Sequence, residues 1–175
     1  HQLAWCTLLE NGTYEPVAGE QYFPSDPNRI IVNVPPFHAK SQTITIEYVT
    51  YRICMNPNIR VIIVSKRQDQ ARKFLYSIKQ RLTSNQWAPL QAAYAPEGGF
   101  RPTRGDGAWG ADRIYVTGID SGEKDPTVEA LGIGGQIYGS RADLIIMDDC
   151  SVGSNANEYE KQITEGSAGK FDLEA

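Results

Sequence analysis

"RIIVNVPPFHAKSQTITIEYV", residues 29–49, decides how the chain is read. An apolar run at 30–34 meets two prolines, then Lys40-Ser41, and from there the apolar spacing turns helical. Strand, tight loop, Lys-Ser and helix is the order of a phosphate-binding loop, in which backbone N–H groups point at phosphate oxygens. The lysine then reaches the outer phosphates and the hydroxyl binds Mg²⁺. Aligned on Lys40-Ser41, however, the two glycines of the usual pattern are replaced by Val34 and Ala39. Pro35 and Pro36 have no N–H to offer and only stiffen the entry. Phe37, His38, Ala39, Lys40, Ser41 and Gln42 keep theirs, and a helix starting near Ser41 adds its positive end. The same letters also suit an ordinary turn with a solvated first-turn lysine.

A second stretch decides between the two. In "RADLIIMDDC", residues 141–150, an apolar strand at 144–147 runs straight into Asp148-Asp149. A buried parallel strand delivers the side chains at its carboxyl end to the crevice where α/β sheets bind ligands. One carboxylate there can hold Mg²⁺ through water, opposite Ser41, and the next can orient and deprotonate an attacking water. Alone, an acidic pair after a strand is more often a turn or cap. In this order, after a Lys-Ser loop, it favours the nucleotide site.

Four short apolar runs, at 30–34, 61–64, 114–116 and 144–147, are predicted strands covered on both faces. A helix is expected over 41–55, stopped by Asn56-Pro57. Another is expected over 67–82, where Ala71, Phe74, Leu75, Ile78 and Leu82 recur at helical spacing. Alternating strands and helices imply an α/β fold with a mostly parallel central sheet flanked by helices. Residues 83–112 read as a long, Gly/Pro/Ala-rich excursion, and 118–140, with six glycines, as tight turns between short extended pieces. Residues 151–175 are polar, with one short helical candidate at 158–164.

Bulk composition narrows the classes. The 175 residues, 41% hydrophobic and 22% charged, suit one soluble globular domain. No apolar run approaches the roughly 18 residues that cross a bilayer. Cys6, Cys54 and Cys150 lie far apart in no metal spacing, and two histidines cannot build a histidine-rich site. With a net charge of −4, any nucleic-acid contact has to use local basic patches.

With these residues in hand, the chain resembles the ATPase domain of tailed-phage terminase large subunits, the DNA-packaging motors. "VNVPPFHAKS" (32–41), "RVIIVSKRQDQARKF" (60–74) and "GGQIYGSRADLIIMDDC" (134–150) carry the likeness, which covers 27–149. It implies a P-loop NTPase of the additional-strand, RecA-like type, with 61–64 or 114–116 as the extra strand between the two motif strands. It implies ATP and Mg²⁺ as ligands, with residues 37–42 around the phosphates, Lys40 on the β/γ-phosphates, and Ser41 and Asp148 on the metal. Asp149 takes the catalytic carboxylate position. Phe37 falls where many relatives carry a basic residue, which raises the importance of an arginine elsewhere. Arg141 is the candidate, inserted from a neighbouring subunit, its alternative being a surface arginine paired with Asp143; Arg101 and Arg104 follow. Trp5, Tyr22 and Phe23 are candidates to stack on adenine or to cover the sheet.

The resemblance further implies double-stranded DNA, the portal and procapsid and the small terminase subunit as partners, a homo-oligomeric ring, no membrane, and the host cytoplasm as location. The domain plan it suggests is an N-terminal segment (1–29) on an ATPase core (30–150), then a polar segment (151–175) that stops before a coupling region and nuclease domain. Two rivals stand beside it: a helicase- or recombinase-like ATPase, and a catalytically inactive nucleotide-binding module.

Overall fold

The computed structural model describes residues 2–12, 29–35, 37–103, 108–119, 123–135 and 140–150. They form an α/β fold around a mixed four-stranded sheet. Strands β1 (Val61–Ser65), β2 (Arg113–Ile114), β3 (Val128–Gly132) and β4 (Leu144–Asp148) lie in the order β2-β3-β1-β4. The β1–β3 and β1–β4 pairs are parallel, and β2 runs antiparallel at the edge.

β1 is central because nearly every residue in it is β-branched and apolar, and all five are buried. On one of its faces Val61 and Ile63 join Ile146 of β4 and Ala130 of β3 in the core. Helix α3 (Gln68–Thr83) contributes Ala71, Phe74, Leu75, Ile78 and Leu82 to that core, as its spacing predicts. Each such fully buried aliphatic or aromatic side chain is worth roughly 1.5–3 kcal/mol over an exposed one. Asp69 in the first turn of α3 and Arg81 in the last suit the helix dipole.

Several expectations change. The 30–34 run is not a strand: its backbone is in no ladder, and Ile31 is 93% exposed. An apolar run becomes a strand only when it pairs with a neighbouring edge, and this run pairs with no described strand. β1 is flanked by β3 and β4, and Ile114 sits in β2 at the far edge. The strand expected at 114–116 shrinks to two antiparallel residues; beyond it the Val116 amide donates to the Thr127 hydroxyl. β4 is covered on one face only, since Ile145 and Met147 are 53% and 68% exposed. β3, whose alternation V-E-A-L-G is short and ends on glycine, lies within the stretch read as turns.

Helices differ too. The one expected over 41–55 begins as a π-helix, Ser41–Tyr48, and continues as α2 (Val49–Met55), which ends at Asn56 as the Asn-Pro signal requires. The 83–112 excursion contains a 3₁₀ turn (Asn85–Trp87) and α4 (Ala88–Tyr94), the latter opened by Pro89. At the amino end, α1 (Gln2–Asn11) buries Trp5 and Leu8, and its Leu9 carbonyl accepts from the Tyr48 hydroxyl at 3.3 Å. Tyr22, Phe23, Arg104 and the helical candidate at 158–164 lie outside the described residues. No helix among the described residues is long and apolar enough to cross a membrane.

One clamp fixes the sheet to α3. Gln68 donates to Asp112 Oδ1 and the Ala130 carbonyl, and accepts from the Gly132 amide. Hydrogen bonds from Arg72 first, then Gln68, outweigh desolvation and hold the Asp112 carboxyl below the usual range. A depressed carboxylate stabilises above its unfolded pKa, so the clamp is complete at neutral pH and weakens below about pH 4. A Cβ on Gly132 would meet the Gln68 backbone nitrogen at 2.8 Å, with no flexible atom to give way. Gly132→Ala is therefore expected to lower unfolding free energy by about 1–3 kcal/mol, read by urea denaturation.

Candidate functional site

Lys40, at the start of the π-helix, and the carboxyl end of β4 meet although they are 109 residues apart in sequence. Lys40 Nζ donates to Asp149 Oδ1 at 2.8 Å and lies 3.4 Å from Asp148 Oδ1. Asp148 is 2% exposed, whereas the Asp149 side chain is 62% exposed and that of Lys40 30%. Solvent-exposed ion pairs are worth only 0–1 kcal/mol, so Lys40–Asp149 adds little. Asp148 is different, because a buried carboxylate left without partners costs several kcal/mol.

Its compensation comes from two sides. Thr45 Oγ1 donates to Asp148 Oδ2 at 2.6 Å, a buried bond to a charged acceptor worth roughly 1.5–3 kcal/mol. On the other side stands the Lys40 ammonium. Burial pulls the Lys40 pKa down most strongly, but the Asp149 hydrogen bond and the fields of both aspartates together leave it raised. Lys40 is thus charged throughout the neutral range. Among the described residues Asp148 Oδ1 accepts no well-formed hydrogen bond, having only the Lys40 ammonium at 3.4 Å, and the buried hydroxyl of Ser65, in register with Asp148 on β1, has no partner. Next to them, burial first and then the two aspartates push the Cys150 thiol up, and its Sγ lies 3.4 Å from the Val64 carbonyl.

The loop reaches this position by adopting backbone angles that glycine normally takes. Phe37 and Ala39 have φ of 69° and 55°, and Asp149 has 50°. Each left-handed non-glycine residue costs of order 1 kcal/mol, and such outliers cluster at binding sites. Ala39 occupies the second glycine position of the usual motif, so the conformation survives without the residue. Phe37 is fully exposed, and His38 Nδ1 lies 3.1 Å from the Pro35 carbonyl. Ser41 opens the π-helix, and Gln42 Nε2 donates to Glu47 Oε1.

The structure therefore brings Lys40, Asp148 and Asp149 together and keeps the 37–42 loop beside them. Thr45 is the residue missed from sequence, although it lies on the helix face of Ser41, four positions on. Arg141 is elsewhere. It donates to Asp125 Oδ2 and Glu123 Oε1, both at 2.9 Å, while Asp143 pairs with Arg60 at the amino ends of β1 and β4. Arg141 is thus at the opposite end of β4 from Asp148. Arg101 is exposed, and Arg67 pairs with Asp69 on the solvated start of α3. Trp5, at 3% exposure, is a packing residue. An open depression of about 430 Å³ between α1 and the π-helix, lined by Cys6, Glu10, Tyr48 and Tyr51 among others, includes none of the Lys40 cluster.

A Mg²⁺ ion fits this donor set. It takes oxygen ligands, keeps several waters, and is usually held by one or two carboxylates plus substrate phosphates. Asp148 Oδ1, buried and without a well-formed hydrogen bond among the described residues, is such an oxygen. Among the described residues no group of three or more His, Cys, Asp or Glu could hold a metal unaided.

Over 115 residues, 65% of this chain, the sequence is 30% identical to the "Terminase, large subunit" of Enterobacteria phage T3. The chain covers 17% of that relative's length. No protein-family model matches the chain.

The left-handed loop makes a direct prediction. Ala39→Gly is expected to be neutral or to stabilise by up to about 1 kcal/mol, while Ala39→Val destabilises by about 1–2 kcal/mol. Urea unfolding of the two variants reads the difference.

Proposed function

We propose that this chain is the nucleotide-hydrolysing part of a phage terminase large subunit, built on a P-loop core and powering movement of double-stranded DNA into a procapsid. One observation carries the reading: Lys40 Nζ stands within 3.4 Å of carboxylate oxygens from both Asp148 and Asp149. Such an arrangement puts a cation, a buried carboxylate and an exposed carboxylate at one strand end, which is the chemistry of phosphoryl transfer to water. The likeness to the T3 protein supplies the packaging context.

In this reading the N–H groups of residues 37–42, at the positive end of the π-helix, cradle the phosphates of ATP. Lys40 turns its ammonium from the aspartates to the β/γ-phosphate oxygens. Mg²⁺, held by the Ser41 hydroxyl and Asp148, supplies neutralisation of the phosphate charge when bound. Asp149, exposed and beside the same lysine, orients the attacking water and takes its proton. Arg141, held by Glu123 and Asp125 far from this cluster in its own subunit, acts across a subunit boundary in a homo-oligomeric ring. The portal, the procapsid and the small terminase subunit are the partners that this role requires, together with DNA.

Nucleotide binding and hydrolysis separate cleanly in a test. ATP·Mg²⁺ at about 100 times its Kd should stabilise the wild-type chain by about 2.7 kcal/mol in thermal unfolding. Lys40→Ala should abolish that stabilisation. Asp149→Asn should keep it while phosphate release falls about 10²- to 10⁴-fold. Absence of any ATP-dependent stabilisation in the wild type overturns the proposal. Unchanged hydrolysis in Asp149→Asn removes Asp149 from its role.

A further inference from the structure

Three threonines in this chain's helices share a habit that Thr45 does not follow. Thr7, Thr50 and Thr83 each donate to the carbonyl four residues back in their own helix, at 3.1, 2.8 and 2.8 Å. Thr45 gives its proton to Asp148, 103 residues away, at 2.6 Å. Both residues are buried, at 1% and 2% exposure. A hydroxyl has a single proton to donate, so this bond commits Thr45 to the carboxylate.

We infer that Thr45 is a positioning residue for Asp148, pinning Oδ2 so that Oδ1 alone is presented to the metal and phosphate; the inference rests on the nucleotide reading above. The two oxygens of a carboxylate are otherwise interchangeable by rotation about the terminal torsion, which has broad, roughly two-fold wells. Here they are made unequal. Oδ2 is held from the helix, and Oδ1, with no well-formed hydrogen bond among the described residues, faces Lys40 at 3.4 Å. Ser41 and Thr45, four positions apart, share one helix face. In this reading the helix supplies two hydroxyls to the site: Ser41 for the metal, and Thr45, bonded to Asp148, to set the carboxylate's orientation. Partners of this kind are worth about 10- to 100-fold in metal affinity when removed.

The test uses the whole chain and measures binding of a fluorescent ATP analogue while Mg²⁺ is titrated, with an EDTA control. Thr45→Val keeps the shape and removes the donor. It should raise the Mg²⁺ concentration for half-maximal binding by about 10-fold or more. Thr45→Ser, which restores the hydroxyl, should return it to within about 2-fold of wild type. If Thr45→Val does not fold, Thr45→Cys carries the comparison with Thr45→Ser, because a thiol is a weak donor at the same branch point. A residue that merely satisfied a buried acid would lower stability without moving the Mg²⁺ requirement. Coincident Mg²⁺ titrations for wild type and the Val or Cys variant overturn this inference and leave the nucleotide reading intact. A wild-type chain that binds no nucleotide at any Mg²⁺ concentration overturns both.

Discussion

A carboxylate at the end of a buried strand is the constraint around which the rest of the site is arranged. Asp148 closes β4 at 2% exposure, where an unpaired charge would cost several kcal/mol. β4 places it there because its partner β1 is buried along its whole length and carries the sheet into the core. The π-helix then has to present a donor on one side and the Lys40 loop a cation on the other. Neither is local in sequence. The two long-range contacts join residues 103 and 109 positions apart, so the site exists only once the sheet and the helix are docked.

The compensation is incomplete, and that is chemically informative. Asp148 Oδ1 and the Ser65 hydroxyl are buried at neighbouring strand ends with no well-formed hydrogen bond among the described residues. Left-handed Ala39 and Asp149 adjoin Lys40 and Asp148 in the chain, and left-handed Phe37 lies three residues before Lys40. A fold optimised for stability alone would place glycines in the loop and an apolar residue at 148. Retained strain and unsatisfied oxygens at one place are what a binding site is expected to show.

Much of this was legible from the letters. Five apolar positions at helical spacing mark α3, and a run of β-branched residues marks the central β1. The Lys-Ser loop and the Asp-Asp strand end were found separately, and the fold joins them. What failed did so for identifiable reasons. Residues 30–34 are as apolar as β1, but hydrophobicity does not supply an edge to pair with, so Ile31 stays exposed. β3 was hidden because Glu129 and Gly132 dilute its pattern, although Val128 and Ala130 are wholly buried. For Arg141 the alternative of a surface pair with Asp143 fails, because Arg60 takes Asp143 with a two-pronged guanidinium and leaves Arg141 to Glu123 and Asp125. Thr45 went unnoticed because a helical threonine ordinarily bonds its own helix, and only the coordinates show that it does not.

The central claim is that one pocket is shared by the Lys40 loop and the β4 aspartates. Its most direct test is a crystal structure of the chain with Mg²⁺ and a non-hydrolysable ATP analogue. The account predicts Lys40 Nζ on the outer phosphate oxygens and Asp148 reaching the same ion directly or through one water. A nucleotide seated elsewhere, with Lys40 still bonded to Asp149, would contradict it.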